Sequence, residues 1–407
     1  MKKQDPLTEV PTTCNKKQKT TYWNKERKLT VVQEPAATYR VHQEEEEVLF
    51  ELQATFEQAE HSNKVTPNQE FSVIELFAGA GGLGIGLEKA GLKCKALNEI
   101  DKWACQTLRA NRPHWKVLEG DIRNFSFAEY QGQINVVTGG FPCQAFSYAG
   151  KKLGLEDARG TLFYEFARVV QEVQPDICIG ENVRGLLNHD KGRTLQGMIF
   201  VLDEIGYRVV APVQVLKAIH YNVPQKRERL ILVGVRKDLP VDYEYPLPFN
   251  TIYNLEDALK KGALYDSDVP DSPGQKYPEH KKKVLDLVPP KGYWRDLPIE
   301  IQKSYMMKSF YLGGGKTGMA RRIGWDEPCL TLMCSPAQKQ TERCHPDETR
   351  PFTVREYARI QTFPDDWAFS GSVSQQYKQI GNAVPVNLAK EIGYSIIDFL
   401  NRVYKYQ

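Results

Sequence analysis

The stretch FSVIELFAGAGGLGIGLEKAG (Phe71–Gly91) constrains the fold more than any other. An apolar run of strand character enters a glycine-rich loop, and helical periodicity follows, with Gly91 placed to end the helix. KCKALNEI then reads as a second strand, and DKWACQTLRANR as a second helix with Asp101 as its N-cap. The alternation continues through INVVTGG, TLFYEFARVVQEVQ, DICIGENV, TLQGMIFVLDEIG, YRVVAPVQVL and RLILVGVR. Strands alternating with helices predict an α/β fold: a doubly wound, mostly parallel sheet with helices on both faces, Rossmann-like.

The rhythm stops after Lys237. Residues 238–345 are rich in Pro, Gly, Tyr and Lys, and read as a second, smaller, irregular domain. Helical patterns return within 346–407, where Leu388, Ile392, Ile396 and Leu400 predict a final helix packed back on the first domain. Residues 1–70 form an N-terminal extension. Eight Lys/Arg against three Asp/Glu in residues 1–30 suggest a largely flexible arm, and an amphipathic helix is expected after the Glu44–Glu47 run.

Composition excludes more than it assigns. In 407 residues, 54 Lys/Arg nearly balance 51 Asp/Glu, so any nucleic-acid surface must be local. No apolar run approaches the ~20 residues of a membrane span, and the basic N-terminus lacks the apolar stretch of a secretory signal. Eight cysteines in a chain this long fit a reducing cytoplasm better than a disulfide framework. Cys329, Cys334, Cys344 and His345 lack paired CxxC spacing, so no metal is expected.

Gly79, Gly81 and Gly84 spell GxGxxG, and Glu99 ends the next strand 20 residues after Gly79. That spacing suits an acid binding a ribose hydroxyl. It leaves open a dinucleotide or another adenosyl cofactor. Asp121 in GDIR is either a helix cap or an acceptor for an adenine amino group. INVVTGGFPCQ sets Cys143 just beyond a strand end, after Gly139, Gly140 and Pro142. Glu181 is an acid on an otherwise apolar strand, which demands a partner or a task. Arg227 and Arg229, two apart at a strand entrance, point to one side. QIGNAVP leads into the last helix.

Taken together these segments resemble the DNA (cytosine-5) methyltransferases of compact bacterial restriction–modification type. FAGAGGLGIGLEKAG, NEID, GDIR, GGFPCQAFSYAG, GENVRGLL, PQKRERLILVG, TVREYARIQTFP and QIGNAVP occur in the family's order over about 71–237 and 350–400. The resemblance implies methyl transfer from S-adenosylmethionine to C5 of a cytosine flipped out of duplex DNA, through a covalent Cys143–C6 adduct. It assigns Glu181 to N3 of the base, Arg229 to O2, and Arg227 to support of the nucleophile loop. Phe77, Gly79, Gly81, Leu83, Glu99, Ile100, Asp121, Ile122, Pro142, Leu162 and Asn382 are expected to line the cofactor site. Ile100 stands where the family often carries an aromatic. Gln144 and Ser147 on the catalytic loop are expected to reach DNA. Region 238–345 is expected to recognise the target, with Lys316, Arg321, Arg322, Arg343 and Arg350 as contacts. A monomeric cytoplasmic enzyme without metal is implied. A transfer-RNA cytosine-5 methyltransferase, a nicotinamide-binding oxidoreductase and a catalytically inactive DNA binder are the alternatives.

Overall fold

The computed structural model describes residues 20–24, 27–31, 64–142, 161–311, 318–338 and 342–405. The chain divides into Met1–Thr55 and Phe56–Gln407. In the first unit, β1 (Thr20–Asn24) and β2 (Arg27–Val31) pair antiparallel, Thr20 opposite Val31. Part of the expected arm is therefore a hairpin, which its Thr, Tyr, Trp and Val content favours. The helix expected after Glu47 lies outside the described residues. In the second unit Val65 packs on the core and the Asn68 amide donates to Asn401 Oδ1 at 2.8 Å, so residues just before Phe71 belong to the larger body.

An eight-stranded sheet organises that body. Its parallel part comprises β3 (Ser72–Leu76), β4 (Lys93–Glu99), β5 (Lys116–Glu119), β6 (Val136–Gly139) and β7 (Ile177–Val183). Antiparallel strands follow: β8 (Tyr207–Val209), β9 (Gln214–Lys217) and the long β11 (Glu228–Arg236), while β10 (Gln225–Lys226) lies off the sheet. The order is β5-β4-β3-β6-β7-β11-β8, with β9 also on β11. The run YRVVAPVQVL is two strands rather than one. It breaks at Ala211–Pro212, where a proline cannot donate to a ladder.

Helices α1 (Gly82–Ala90), α2 (Lys102–Asn111), α3 (Leu162–Val173) and α4 (Arg193–Glu204) connect the strands. Asp101 caps α2 through the Trp103 and Ala104 amides, and Gly91 ends α1 at φ 119°. From the far end of the chain come α5 (Val354–Ile360), α6 (Val373–Asn382) and α7 (Val386–Val403). Helix α7 buries Leu388, Ile392, Ile396 and Leu400 in the core shared with β3, β7 and β11. It crosses α1 at near backbone contact: a Cβ on Gly86 would fall 2.3 Å from that of Ala389. The crossing therefore requires glycine.

Strand order runs outward in both directions from β3. Crossovers diverge there and leave a crevice at the carboxyl ends of β3, β4 and β6, where open α/β sheets bind ligands. A separate apolar cluster of Tyr277, Leu285, Trp294, Leu297, Met306 and Cys344 lies within the irregular stretch. Among the described residues no helix is long and apolar enough to cross a membrane.

Candidate active site

Two groups of side chains converge on that edge. The first lines the crevice after β3. Phe77 has φ 57°, a left-handed conformation rare for a bulky residue, and Gly79 and Gly81 follow at φ 54° and 83°. A Cβ on Gly79 would meet nothing within 4 Å, so the turn opens on free space. Glu99 stands across from it. Its Oε2 accepts the Gly79 amide at 2.7 Å, and its Oε1 accepts those of Ile100 and Asp101 at 2.8 and 2.7 Å. Ile100 projects 67% exposed at the rim, a large apolar surface left uncovered. Leu162 and Phe77 pack at the edge of the core beneath.

Two expected cofactor residues differ from their sequence reading. Leu83 and Ile122 are 5% and 3% exposed and belong to the core clusters, so their side chains fill the interior rather than line an open site. Asp121 caps the turn that follows it and chelates Arg123, which pulls its carboxyl down to about 2. Asn382, at the end of α6, is exposed and accepts the Cys334 thiol at 2.9 Å.

The second group surrounds the ends of β6 and β7. Arg229 Nε meets Glu181 Oε1 at 2.6 Å, with both side chains about one-eighth exposed. The pair forms because β7 and β11 run antiparallel with Arg229 opposite Val183 and Ile231 opposite Glu181. Gly140 passes directly over the carboxylate: a Cβ there would lie 3.1 Å from Glu181 Oε2. Beside it, Asn182 Nδ2 donates to the Phe141 carbonyl at 2.9 Å, tying the ENV segment to the chain that continues through Pro142. Cys143, Gln144 and Ser147 lie outside the described residues, as does Lys316. A cleft of about 570 Å³ opens beside Arg229, bordered by Val183, Lys217, Lys226, Glu228 and Thr331.

Arg227 also borders this cleft, but its guanidinium is taken up by carbonyls of the interior. It is 2% exposed, and its Nη1 and Nη2 donate to the carbonyls of Leu332, Gly381 and Ala383. Burial and the nearby Arg229 lower its pKa to about 9, so it stays charged at neutral pH. Its role is to clamp the GNAVP turn. Gln361, unnoticed in the sequence, assists: its Nε2 donates to the Ile380 carbonyl, and its Oε1 accepts Gln225 Nε2.

The expected DNA-contacting arginines are also corrected. Arg322 is 5% exposed, and all five of its donors are used, on the carbonyls of Leu285, Val288, His345 and Pro346 and on Thr349 Oγ1. Arg321 is bound by both oxygens of Glu327 at 2.6 Å. Arg343 is 7% exposed and donates to the Gly318 and Glu342 carbonyls. Arg350 pairs with Glu356 and Glu348. The buried, saturated guanidinium of Arg322 holds loops together and has no donor left for a groove, while Arg343 is buried with its Nε unpartnered. Of the cysteines considered with His345, Cys329 and Cys344 sit in different apolar clusters. Among the described residues no group of three or more His, Cys, Asp or Glu is arranged to hold a metal.

Sequence reasoning missed Glu75. It lies 2% exposed on β3, and its Oε2 has no hydrogen-bond partner. The available signal was an acid in the apolar run FSVIELFA, the same signal that singled out Glu181. On β6 its register partner Thr138 is fully buried, and its Oγ1 is likewise unpartnered. Orphaned polar atoms beneath an open glycine turn, with an acid at the ribose position, fit an adenosyl cofactor.

Comparison with known proteins agrees. The family model for C-5 cytosine-specific DNA methylase matches residues 71–398. The chain is 59% identical over 386 residues to the type II methyltransferase M.Eco47II of Escherichia coli, covering 94% of this chain and 92% of that protein. It is 62% identical over 343 residues to M.PspPI of Psychrobacter sp., covering 84% and 82%. Among solved structures, a putative prophage-encoded DNA modification methyltransferase of E. coli superposes with TM-score 0.57 at 23% identity, over 82% of this chain and all of that one. Spodoptera frugiperda DNMT2 superposes with TM-score 0.58 at 17% identity, over 80% and 99%; both likenesses concern the fold. These matches set the oxidoreductase reading aside. The chain belongs to the C-5 cytosine-specific DNA methylases and is a DNA (cytosine-5) methyltransferase.

Proposed function

We propose that the chain methylates C5 of one cytosine within a specific short duplex sequence, with S-adenosylmethionine as donor, and serves as the modifying half of a restriction–modification system. The observation that carries this is the Glu181–Arg229 pair beneath Gly140, three residues before Cys143. Cytosine C5 is a poor nucleophile. A thiolate added at C6 makes it enamine-like, and this is the task assigned to Cys143. Electron density then moves onto the ring, so donors at N3 and O2 lower the barrier. Glu181 serves N3 and Arg229 serves O2, exchanging their mutual contact for the base. Asn182 positions the nucleophile strand through Phe141.

The donor, when bound, supplies an electrophilic methyl group. The chain's part is to hold it: Glu99 at the ribose, the Gly79 turn below, and Ile100 against the adenine. Because C6 is hidden in a stacked duplex, the target base must leave the helix. The cleft beside Arg229 suits a nucleotide entering from DNA. Region 238–345, with an apolar cluster of its own, is the proposed target-recognition domain. The test is to methylate mixed-sequence duplex DNA with labelled donor and map the product. The reading expects 5-methylcytosine at one recurring sequence. Label confined to transfer RNA, or dispersed without sequence preference, would contradict it.

A further inference from the structure

Arg321, Arg322 and Arg343 are committed within the protein, so a DNA backbone must be met by other cations. The cleft of about 570 Å³ beside Arg229 supplies them: five cationic side chains border it against one acid, Glu228. Lys217 and Lys226 stand exposed on its walls, and among the described residues neither ammonium forms an ion pair or a hydrogen bond. Lys217 lies directly opposite Glu228 across the antiparallel β9–β11 ladder, yet the acid does not pair with it. Instead Glu228 Oε2 accepts from Arg184 Nη1 at 2.8 Å, just beyond the end of β7. The Arg184 side chain is 62% exposed and that of Glu228 32%. An ion pair this open to water contributes little to the fold, and salt screens it. What it does decide is where Arg184 is held. Thr331 closes the cleft from the irregular region, its hydroxyl donating to the Lys226 carbonyl at 2.6 Å. The sheet and region 238–345 thus share a basic channel, and any polyanion entering it must meet the acid of Glu228.

We propose that the Arg184–Glu228 pair is a latch on the target cleft: a DNA phosphate beside the extruded cytosine takes Arg184 from Glu228, and Lys217 seats the phosphate chain from the facing strand. This rests on the reading of the chain as a methyltransferase of duplex DNA. A phosphate offers a guanidinium the same charge-assisted, paired geometry as a carboxylate, so Arg184 gives up no hydrogen bond in the exchange. Glu228 does lose its cation, gains an anion as neighbour and is left to water. That cost falls on DNA that fills the cleft. In the empty cleft the same contact keeps Arg184 neutralised.

The test measures binding of the full chain to a duplex carrying the mapped target, by fluorescence anisotropy across a salt series. Affinities are compared at about 0.15 M salt, where screening confines charge effects to about 8 Å. Arg184→Gln is expected to bind roughly fivefold more weakly and to lower the slope of log K against log salt by about one. Lys217→Gln is expected to lower that slope by a similar amount. Glu228→Gln is expected to tighten binding roughly fivefold alone, and less than about twofold when combined with Arg184→Gln. All three side chains lie at the surface, so the substitutions leave the fold in place. Equal tightening in both backgrounds makes Glu228 a mere background charge and overturns the latch. So does a Glu228→Gln variant that binds no more tightly, or an unchanged slope in Arg184→Gln or Lys217→Gln. With wild-type methylation of the duplex observed, those results leave the methyltransferase reading intact. A wild type that neither binds nor methylates duplex DNA overturns that reading and the latch with it.

Discussion

Two arginine pairs that look alike in the sequence have unlike fates. Arg227 and Arg229 alternate at a strand entrance, while Arg321 and Arg322 adjoin in a glycine-rich stretch. Of the four, Arg229 borders a cleft and is paired there with Glu181. Arg227 and Arg322 are sealed inside, each binding carbonyls from segments distant in sequence. Arg321 is neutralised by Glu327. A guanidinium is equally suited to gripping a ligand and to stapling loops, and only burial and partner count tell the two apart.

Substitution can break this contrast, and the largest effect should fall on the proposed catalytic pair. Glu181→Gln or Arg229→Ala should lower methyl transfer about 10²–10⁴-fold with donor affinity retained, as measured by single-turnover assay and calorimetry. A loss confined to donor binding would move the pair out of the chemistry. Next come the staples. Arg322→Met and Arg227→Met each strand several buried carbonyls and should cost about 3 kcal/mol, read from denaturant midpoints. If Arg322→Met instead kept full stability and flattened the salt dependence of DNA binding, Arg322 would be a phosphate contact after all. Asn182→Ala should cost about 1 kcal/mol through the lost bond to Phe141. It should also slow adduct formation more than it weakens the fold. The smallest effect belongs to Arg321→Gln. It exchanges one partly buried pair and should cost no more than about 1 kcal/mol, with target choice unchanged in the mapping assay.

The same contrast marks where sequence was legible. Periodicity exposed β3, β4, β6, β7 and the helices between them, because each must show an apolar face to one sheet. Glu99 and Glu181 were found because an acid at a strand end is conspicuous. Glu75 was overlooked although it sits in an equally apolar run, since its pairing with Thr138 depends on strand register, which no single strand reveals. Arg322 was misread because residues 238–345 lack a repeating pattern. Without one, sequence does not say which side of a loop faces inward. The clamp of Arg227 on Gly381 and Ala383 joins residues more than 150 apart, a contact that exists only once α7 has packed on α1.

The central claim is that the thiol beyond Pro142 attacks a cytosine held by Glu181 and Arg229. Its most direct measurement uses duplex DNA with 5-fluorocytosine at the mapped target, where no C5 proton is available to leave. The wild type with S-adenosylmethionine should yield a denaturant-resistant, one-to-one protein–DNA adduct, and Cys143→Ser should yield none. An adduct that survives in Cys143→Ser, or complete methylation of ordinary DNA by that variant, would contradict the account.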